Sequence, residues 1–328
     1  MIRTIGDRYF LILPFLLLAV LGCQPSAVEP VGENNGSGAS IDADKNSDPN
    51  IDSSPSPEVE VTAEQLLAAR LPEAEVAEGW IRLFDGHTLF GWQIAGDANW
   101  RVEDGSIVVD QGDACLLCTS VPWKNFELVL EYKANIDTNS GVFLRTPLNP
   151  ENPAEDCYEV NIAPADNPFP TGGIVKRKKA SEFTAAPDKW HSMKMVMNGK
   201  RLQVSVDGAD VCDYTDEIGV PEGRIGLQHN SGRIEFRNVR LRPLGLQSLL
   251  DEELTQWTKY PEMPGEFTVT DEGNLRVKGG RTQLESKQSF DDFVLLAEYK
   301  LPTDEMNSGI FFRCIPGDEM MGYECQLS

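Results

Sequence analysis

Three short stretches of this 328-residue chain carry carboxylates, cations and an aromatic at strand spacing. In FELVLEYK (126–133), side chains alternate across a strand. Phe126, Leu128, Leu130 and Tyr132 therefore share one face, and Glu127, Val129, Glu131 and Lys133 the other. By the same rule Phe143 lies with Arg145 in VFLR (142–145), and Glu159 with Asn161 in YEVN (158–161). If the three strands are neighbours, one outward face gathers Glu131, Lys133, Phe143, Arg145, Glu159 and Asn161. Carboxylates on such a face can move protons, and cations can hold a developing oxyanion. A ring to stack on, beside planar donors and acceptors, suits a sugar. A merely solvated strand face carries the same residue types, with cross-strand ion pairs worth roughly a few tenths of a kcal/mol.

Repetition separates the two readings. NSGVFLR (139–145) returns as NSGIFFR (307–313), FELVLEYK as FVLLAEYK (293–300), and CYEVN (157–161) as GYECQ (322–326). Trp92 has a partner in Trp257. The cluster reappears as Glu298, Lys300, Phe311, Arg313, Glu324 and Gln326, while adjacent turn residues have drifted. Solvation does not require the same residue at the same place twice, so a ligand site is the better account. A period of about 167 residues is the size of a domain, not of a solenoid unit. The chain thus holds one complete domain, 79–243, and a partial copy, 250–328, as expected of a fragment of a longer protein or a shortened reading frame.

The domain body reads as β throughout. Short alternating or β-branched runs are separated by turns such as EDGS, NGK, VDGAD and PEGR, the pattern of a sandwich or jelly roll. Before it, residues 1–23 combine Arg3 and Arg8 with an apolar run to Leu21, too short for a spanning helix, and read as a signal peptide. Its VLGC end resembles a lipobox. Acylation of Cys23 would tether an exported protein to a membrane surface, facing the periplasm or the cell exterior. Residues 24–60 have the composition of a disordered tether. In 61–78, Thr62 and Gln65 are spaced as a capping box for a short helix.

Net charge is −23, with 52 acidic against 29 basic residues, which argues against a nucleic-acid partner. Of the seven cysteines, Cys115 and Cys118 form a lone CLLC without the His or second pair of a haem or zinc motif. Cys314 and Cys325 flank a hairpin on one face, where they either pair or remain free thiols. No metal-ligand motif is present.

In order along the chain, LFDGHTLFGW, WRVEDGSIV, FELVLEYK, NSGVFLR, YEVNI, TGGI, GRIGLQ and EFRNVRLRPL resemble the 3-keto-disaccharide hydrolase family. The resemblance covers 79–243 in full and 250–328 in part. It implies an all-β, concanavalin A-like jelly-roll β-sandwich, tandemly duplicated with the second copy incomplete. It also implies an oligosaccharide or glycoside substrate previously oxidised at C3. That fold class often carries a structural Ca²⁺, although no loop here specifies one. Where the family often has Gln-x-His-Gly, this chain reads QHNSG, with Gln228 in place and His229 one position early. Gln228 and His229 are accordingly expected beside the substrate.

A C3 ketone acidifies the C2 proton. Its removal gives an enolate that expels the C1 substituent, and water then adds back. Glu131 or Glu159 could serve as base and acid, Arg145 and Lys133 could hold the enolate, and Phe143 and Asn161 could bind the sugar. A two-carboxylate glycosidase using Glu131 and Glu159 and a non-catalytic carbohydrate-binding module are the alternatives.

Overall fold

The computed structural model of the protein describes residues 61–181, 183–303 and 306–327. The expected signal peptide, Cys23 and tether lie outside these residues. Helix α1 (Ala63–Ala68) opens with the capping box, since Thr62 and Gln65 each accept from the other's backbone N–H. A second short helix, α2 (Glu73–Ala77), leads into the strands.

Short alternating runs produce short strands. The first half of the domain contributes β1 (Ile81–Arg82), β2 (Trp92–Ala95), β3 (Arg101–Glu103), β4 (Ser106–Val109), β5 (Cys115–Thr119), β6 (Phe126–Ala134) and β7 (Ser140–Thr146). After helix α3 (Pro153–Asp156) come β8 (Tyr158–Ile162), β9 (Trp190–Asn198), β10 (Arg201–Val206), β11 (Ala209–Thr215), β12 (Arg224–His229) and β13 (Ile234–Pro243). Asp207 and Gly208, both at positive φ, make the two-residue turn joining β10 to β11.

The strands pair antiparallel into two sheets. One runs β11-β10-β9-β6-β13-β4-β3, with β1 also on β13, and the other runs β2-β5-β12-β7-β8. Their inner faces share one core. Phe126, Leu128, Leu130 and Tyr132, as expected, are at most 1% exposed and pack in it with Val142, Leu144, Tyr158, Val160, Ile225 and Leu227 from the other sheet. The result is a concanavalin A-like jelly-roll β-sandwich.

This topology divides the expected cluster. Strand β6 is hydrogen-bonded between β9 and β13, whereas β7 lies between β12 and β8 in the other sheet. Alternation dictates which residues share a face of each strand; it does not say which strands are neighbours. Glu131 and Lys133 therefore stand on the outside of one sheet, and Glu159 on the outside of the other.

The second copy forms β14 (Trp257–Lys259), β15 (Glu266–Val269), β16 (Leu275–Lys278), β17 (Leu284–Ser286), β18 (Ser308–Phe312) and β19 (Tyr323–Leu327), paired only two by two. The β18–β19 hairpin reproduces β7–β8, with Phe311 opposite Glu324 as Phe143 is opposite Glu159. Residues 293–300, the echo of β6, form no strand. In the first copy β6 is held by β9 and β13, whereas among the described residues of the second copy no strand pairs with 293–300. Cys314 and Cys325 are free thiols.

Candidate functional site

The outer face of the five-stranded sheet is where chemistry-bearing groups converge. On β12, Gly226 and Gln228 point outward, on β7 Gly141 and Phe143, and on β8 Glu159 and Asn161. The core-facing residues between them fix this alternation. Register places Phe143 opposite Glu159 and Gly141 opposite Asn161. Because Gly141 carries no side chain, Glu159 and Gln228 lean together over β7 from its two sides. A Cβ at position 141 would come within 3.2 Å of Glu159 Cγ and 3.4 Å of Gln228 Oε1.

Glu159 lines a recess of about 160 Å³ together with Pro153 and Ala154 of α3 and with Val175 and Lys176. Val175 and Lys176 belong to an edge segment that continues the sheet past β8. Asn161 N–H donates to the Gly173 carbonyl (2.9 Å), and Val175 N–H donates to the Glu159 carbonyl (3.0 Å). Burial pushes the Glu159 carboxyl up to about 7, against the opposing pull of a Gln228 hydrogen bond and the charge of Lys176. A carboxyl poised there can take and return a proton at neutral pH.

The other expected site residues have different work. Glu131 accepts from Arg237 Nε (2.7 Å) and Asn238 Nδ2 (3.0 Å) on the eight-stranded sheet. Lys133 pairs with Glu235 at 2.8 Å and lies over the Trp190 ring. Both belong to a cross-strand ion ladder far from Glu159 in topology. Phe143 is 2% exposed, clustered with Leu116, Cys118 and Cys157 and packed by Leu148, so its ring offers no open stacking surface.

Arg145 is 4% exposed, at a positive φ of 54°. Its guanidinium donates to the Lys124 carbonyl (2.7 Å), the Val220 carbonyl (2.6 Å) and Asn125 Oδ1 (3.1 Å). Those acceptors consume the fork that was expected to hold an enolate. Asn161 is also buried; its Nδ2 donates to the Phe169 carbonyl and to Asn167 Oδ1, fastening the loop after β8. His229 follows Gln228 on β12, so alternation turns it to the inner side, in register with Cys115 and 3% exposed. Of the eight residues expected to act together, Glu159 and Gln228 meet.

Sequence reasoning missed Lys176 and Gly141. Lys176 lies in the turn after TGGI, beyond the reach of strand alternation. Gly141 did leave a signal, the NSG spelled in both copies. Among the described residues no group of three or more His, Cys, Asp and Glu side chains is gathered as a metal centre requires.

The chain matches the family described as "3-keto-alpha-glucoside-1,2-lyase-like domain" over residues 79–242 and 245–328. A 3-keto-disaccharide hydrolase of Bacteroides thetaiotaomicron is 33% identical over 96 residues, covering 25% of this chain and 33% of that protein. The chain thus spans about a third of the length of that relative. Among solved structures, a Parabacteroides distasonis protein provisionally named a glycosyl hydrolase is similar at 23% identity and a TM-score of 0.49. That match covers 54% of this chain and 99% of the other. The carbohydrate-binding module CBM66 from Bacillus subtilis is similar at 17% identity and a TM-score of 0.39, covering 46% of this chain and 95% of the other.

Proposed function

Because this chain belongs to the 3-keto-alpha-glucoside-1,2-lyase-like family, we propose that its 79–243 sandwich cleaves 3-keto-glycosides, with Glu159 as the base that takes the C2 proton. The observation that carries this reading is the desolvated carboxyl of Glu159, raised to about 7 inside a recess on the outer sheet face. A carboxylate of ordinary acidity would be a poor base toward a carbon acid; one at 7 is both ionised in useful amount and basic enough.

The Glu159 carboxylate receives the C2 proton, and the C2–H electron pair forms C2=C3 as the ketone becomes an enolate. The oxyanion pair then re-forms C3=O, and the C2=C3 pair shifts to C1=C2 as the C1–O bond breaks. The leaving oxygen takes a proton from water at the open mouth of the recess, which leaves hydroxide. That hydroxide adds to C1, the C1=C2 pair takes the proton back from Glu159 at C2, and the sum is a net hydrolysis. Gln228 leans over Gly141 beside the carboxyl and confines it from the β12 side. Export, with an acylated Cys23, would present this site to glycosides outside the cytoplasm.

Glu131 and Glu159 stand on different sheets, so this pair does not flank one glycosidic bond as two-carboxylate hydrolysis requires. The test incubates the protein with a nitrophenyl 3-keto-glucoside and with its unoxidised parent. Nitrophenol should be released from the keto sugar alone, and Glu159→Gln should abolish release. Equal release from both sugars, or an active Glu159→Gln protein, would overturn the reading.

A further inference from the structure

Proton removal from C2 leaves a negative charge on the C3 oxygen, and a base alone does nothing for it. Lys176 lines the same recess as Glu159. We infer that Lys176 is a second catalytic residue whose ammonium receives the ketone oxygen of the substrate, an inference that rests on the reading of Glu159 as the base.

The backbone supplies the first argument. Lys176 lies in a tight turn closed by Arg177 N–H to the Ile174 carbonyl (3.0 Å) and by the Ile174–Lys178 pair (2.7 and 2.9 Å). Its φ is 58°, in the left-handed region where Gly or Asn is the usual turn residue. Within the first domain the other non-glycine residues at positive φ are Asp104, Asp188, Asp207 and Asn238, which tolerate that region, and Arg145, whose guanidinium is taken by three acceptors. Lys176 alone of this set pays for the conformation without such a return. Among the described residues no hydrogen bond or ion pair claims its ammonium. A strained residue kept at the rim of a recess points to function.

The neighbours supply the second argument, because both are clamped. Val175 N–H donates to the Glu159 carbonyl at 3.0 Å. Arg177 donates to Asp216 Oδ2 (2.7 Å) and the Cys157 carbonyl (3.2 Å) and stacks 4.6 Å from the Tyr158 ring centroid. Asp216 is itself fixed by the Tyr158 hydroxyl at 2.9 Å. Held on both sides, the left-handed turn fixes Lys176 among the residues that line the recess with Glu159.

Charge supplies the third. Around Glu159, β7 presents Gly141 and Phe143, β12 presents Gln228, α3 presents Pro153 and Ala154, and the edge segment presents Val175 and Lys176. Lys176 is the charged group whose field acts on the carboxyl. In the reaction no proton passes to Lys176. The C2–H pair becomes C2=C3, the C3=O pair moves onto oxygen, and the ammonium stabilises that oxyanion until its pair re-forms C3=O, the C2=C3 pair shifts to C1=C2 and the C1–O bond breaks.

The experiment replaces Lys176 with Gly, which suits the left-handed backbone. Turnover of the 3-keto-glycoside should fall by ~10²–10³, the scale for one oxyanion donor, while the melting temperature stays level or rises. Added ethylammonium should restore part of the turnover of Lys176→Gly and none of that of Glu159→Gln. The acid limb of the pH–rate profile should move to higher pH, because the charge that held the Glu159 carboxyl down is gone. A Lys176→Gly protein with turnover within ~3-fold of the parent would overturn the inference and leave the Glu159 reading standing. So would a loss of activity with no amine rescue and an unmoved acid limb. A parent protein inert toward 3-keto-glycosides, or an active Glu159→Gln, would overturn the reading of Glu159 and Lys176 with it.

Discussion

Gly141 and Glu159 lie on neighbouring strands, and a Cβ added to Gly141 would stand 3.2 Å from Cγ of Glu159. The second copy repeats the relationship: a Cβ on Gly309 would fall 2.9 Å from Cγ of Glu324. In both hairpins the glycine clears the space into which the glutamate folds. Close approach, not backbone conformation, is the reason for glycine at 141, which is absent from the positive-φ residues.

A methyl group at 141 would therefore press on three neighbours, Glu159 Cγ (3.2 Å), the Val160 carbonyl (3.2 Å) and Gln228 Oε1 (3.4 Å). Backbone can yield little, so the two side chains must part. Gly141→Ala should fold, lose about 1 kcal/mol of stability to overpacking, and lose turnover by roughly an order of magnitude as the Glu159 carboxyl is pushed from its position. Initial rates and urea melts on the same preparation check it. Unchanged turnover would show that this contact does not position the carboxyl.

Glu159 also makes a stability prediction with a definite sign. Its carboxyl is raised from 4.5 to about 7 by burial, so the folded state holds the proton more tightly than the unfolded one. Between those values stability falls as pH rises, because the unfolded state ionises first. Glu159→Gln removes the liability. The variant should be more stable than the parent at pH 8, by on the order of 1–3 kcal/mol, and no more stable at pH 4. Paired denaturant melts at the two pH values decide; an equal difference at both would mean that the carboxyl is not desolvated.

Much of this architecture was legible because strand alternation is local information. Phe126, Leu128, Leu130 and Tyr132 could be assigned to the core from their own stretch of chain, and they fill it. The duplicated hairpin was legible for the same reason. What alternation could not convey is that the chain crosses between sheets after β6, a matter of pairing with β9 and β13 from residues 190–243. Glu131 and Lys133 were lost to the site at that step. Lys176 stayed hidden because its position depends on a turn and on the Arg177–Asp216 clamp, 39 residues apart in sequence. A residue can be repeated because it holds the fold, as Arg145 shows.

Arg145 and its counterpart Arg313 share more than identity. Both adopt left-handed backbone, with φ of 54° and 57°, and both bond the residue just before the apolar run, Asn125 at 3.1 Å and Asp292 at 3.0 Å. In the complete domain Arg145 also ties the Lys124 and Val220 carbonyls, joining the start of β6 to the loop before β12. Removing the guanidinium strands these acceptors in a buried setting, and each costs about 1–3 kcal/mol. Arg145→Ala should therefore lose roughly 2–4 kcal/mol in urea melts, with the total discounted because part of the gap will admit water. Arg145→Lys should recover little, since an ammonium cannot span three acceptors arranged for a fork. Because Arg145 does not line the recess, kcat and KM measured well below the melting transition should stay within ~2-fold of the parent. A variant that melts like the parent but turns over substrate 10²-fold more slowly would return Arg145 to the chemistry.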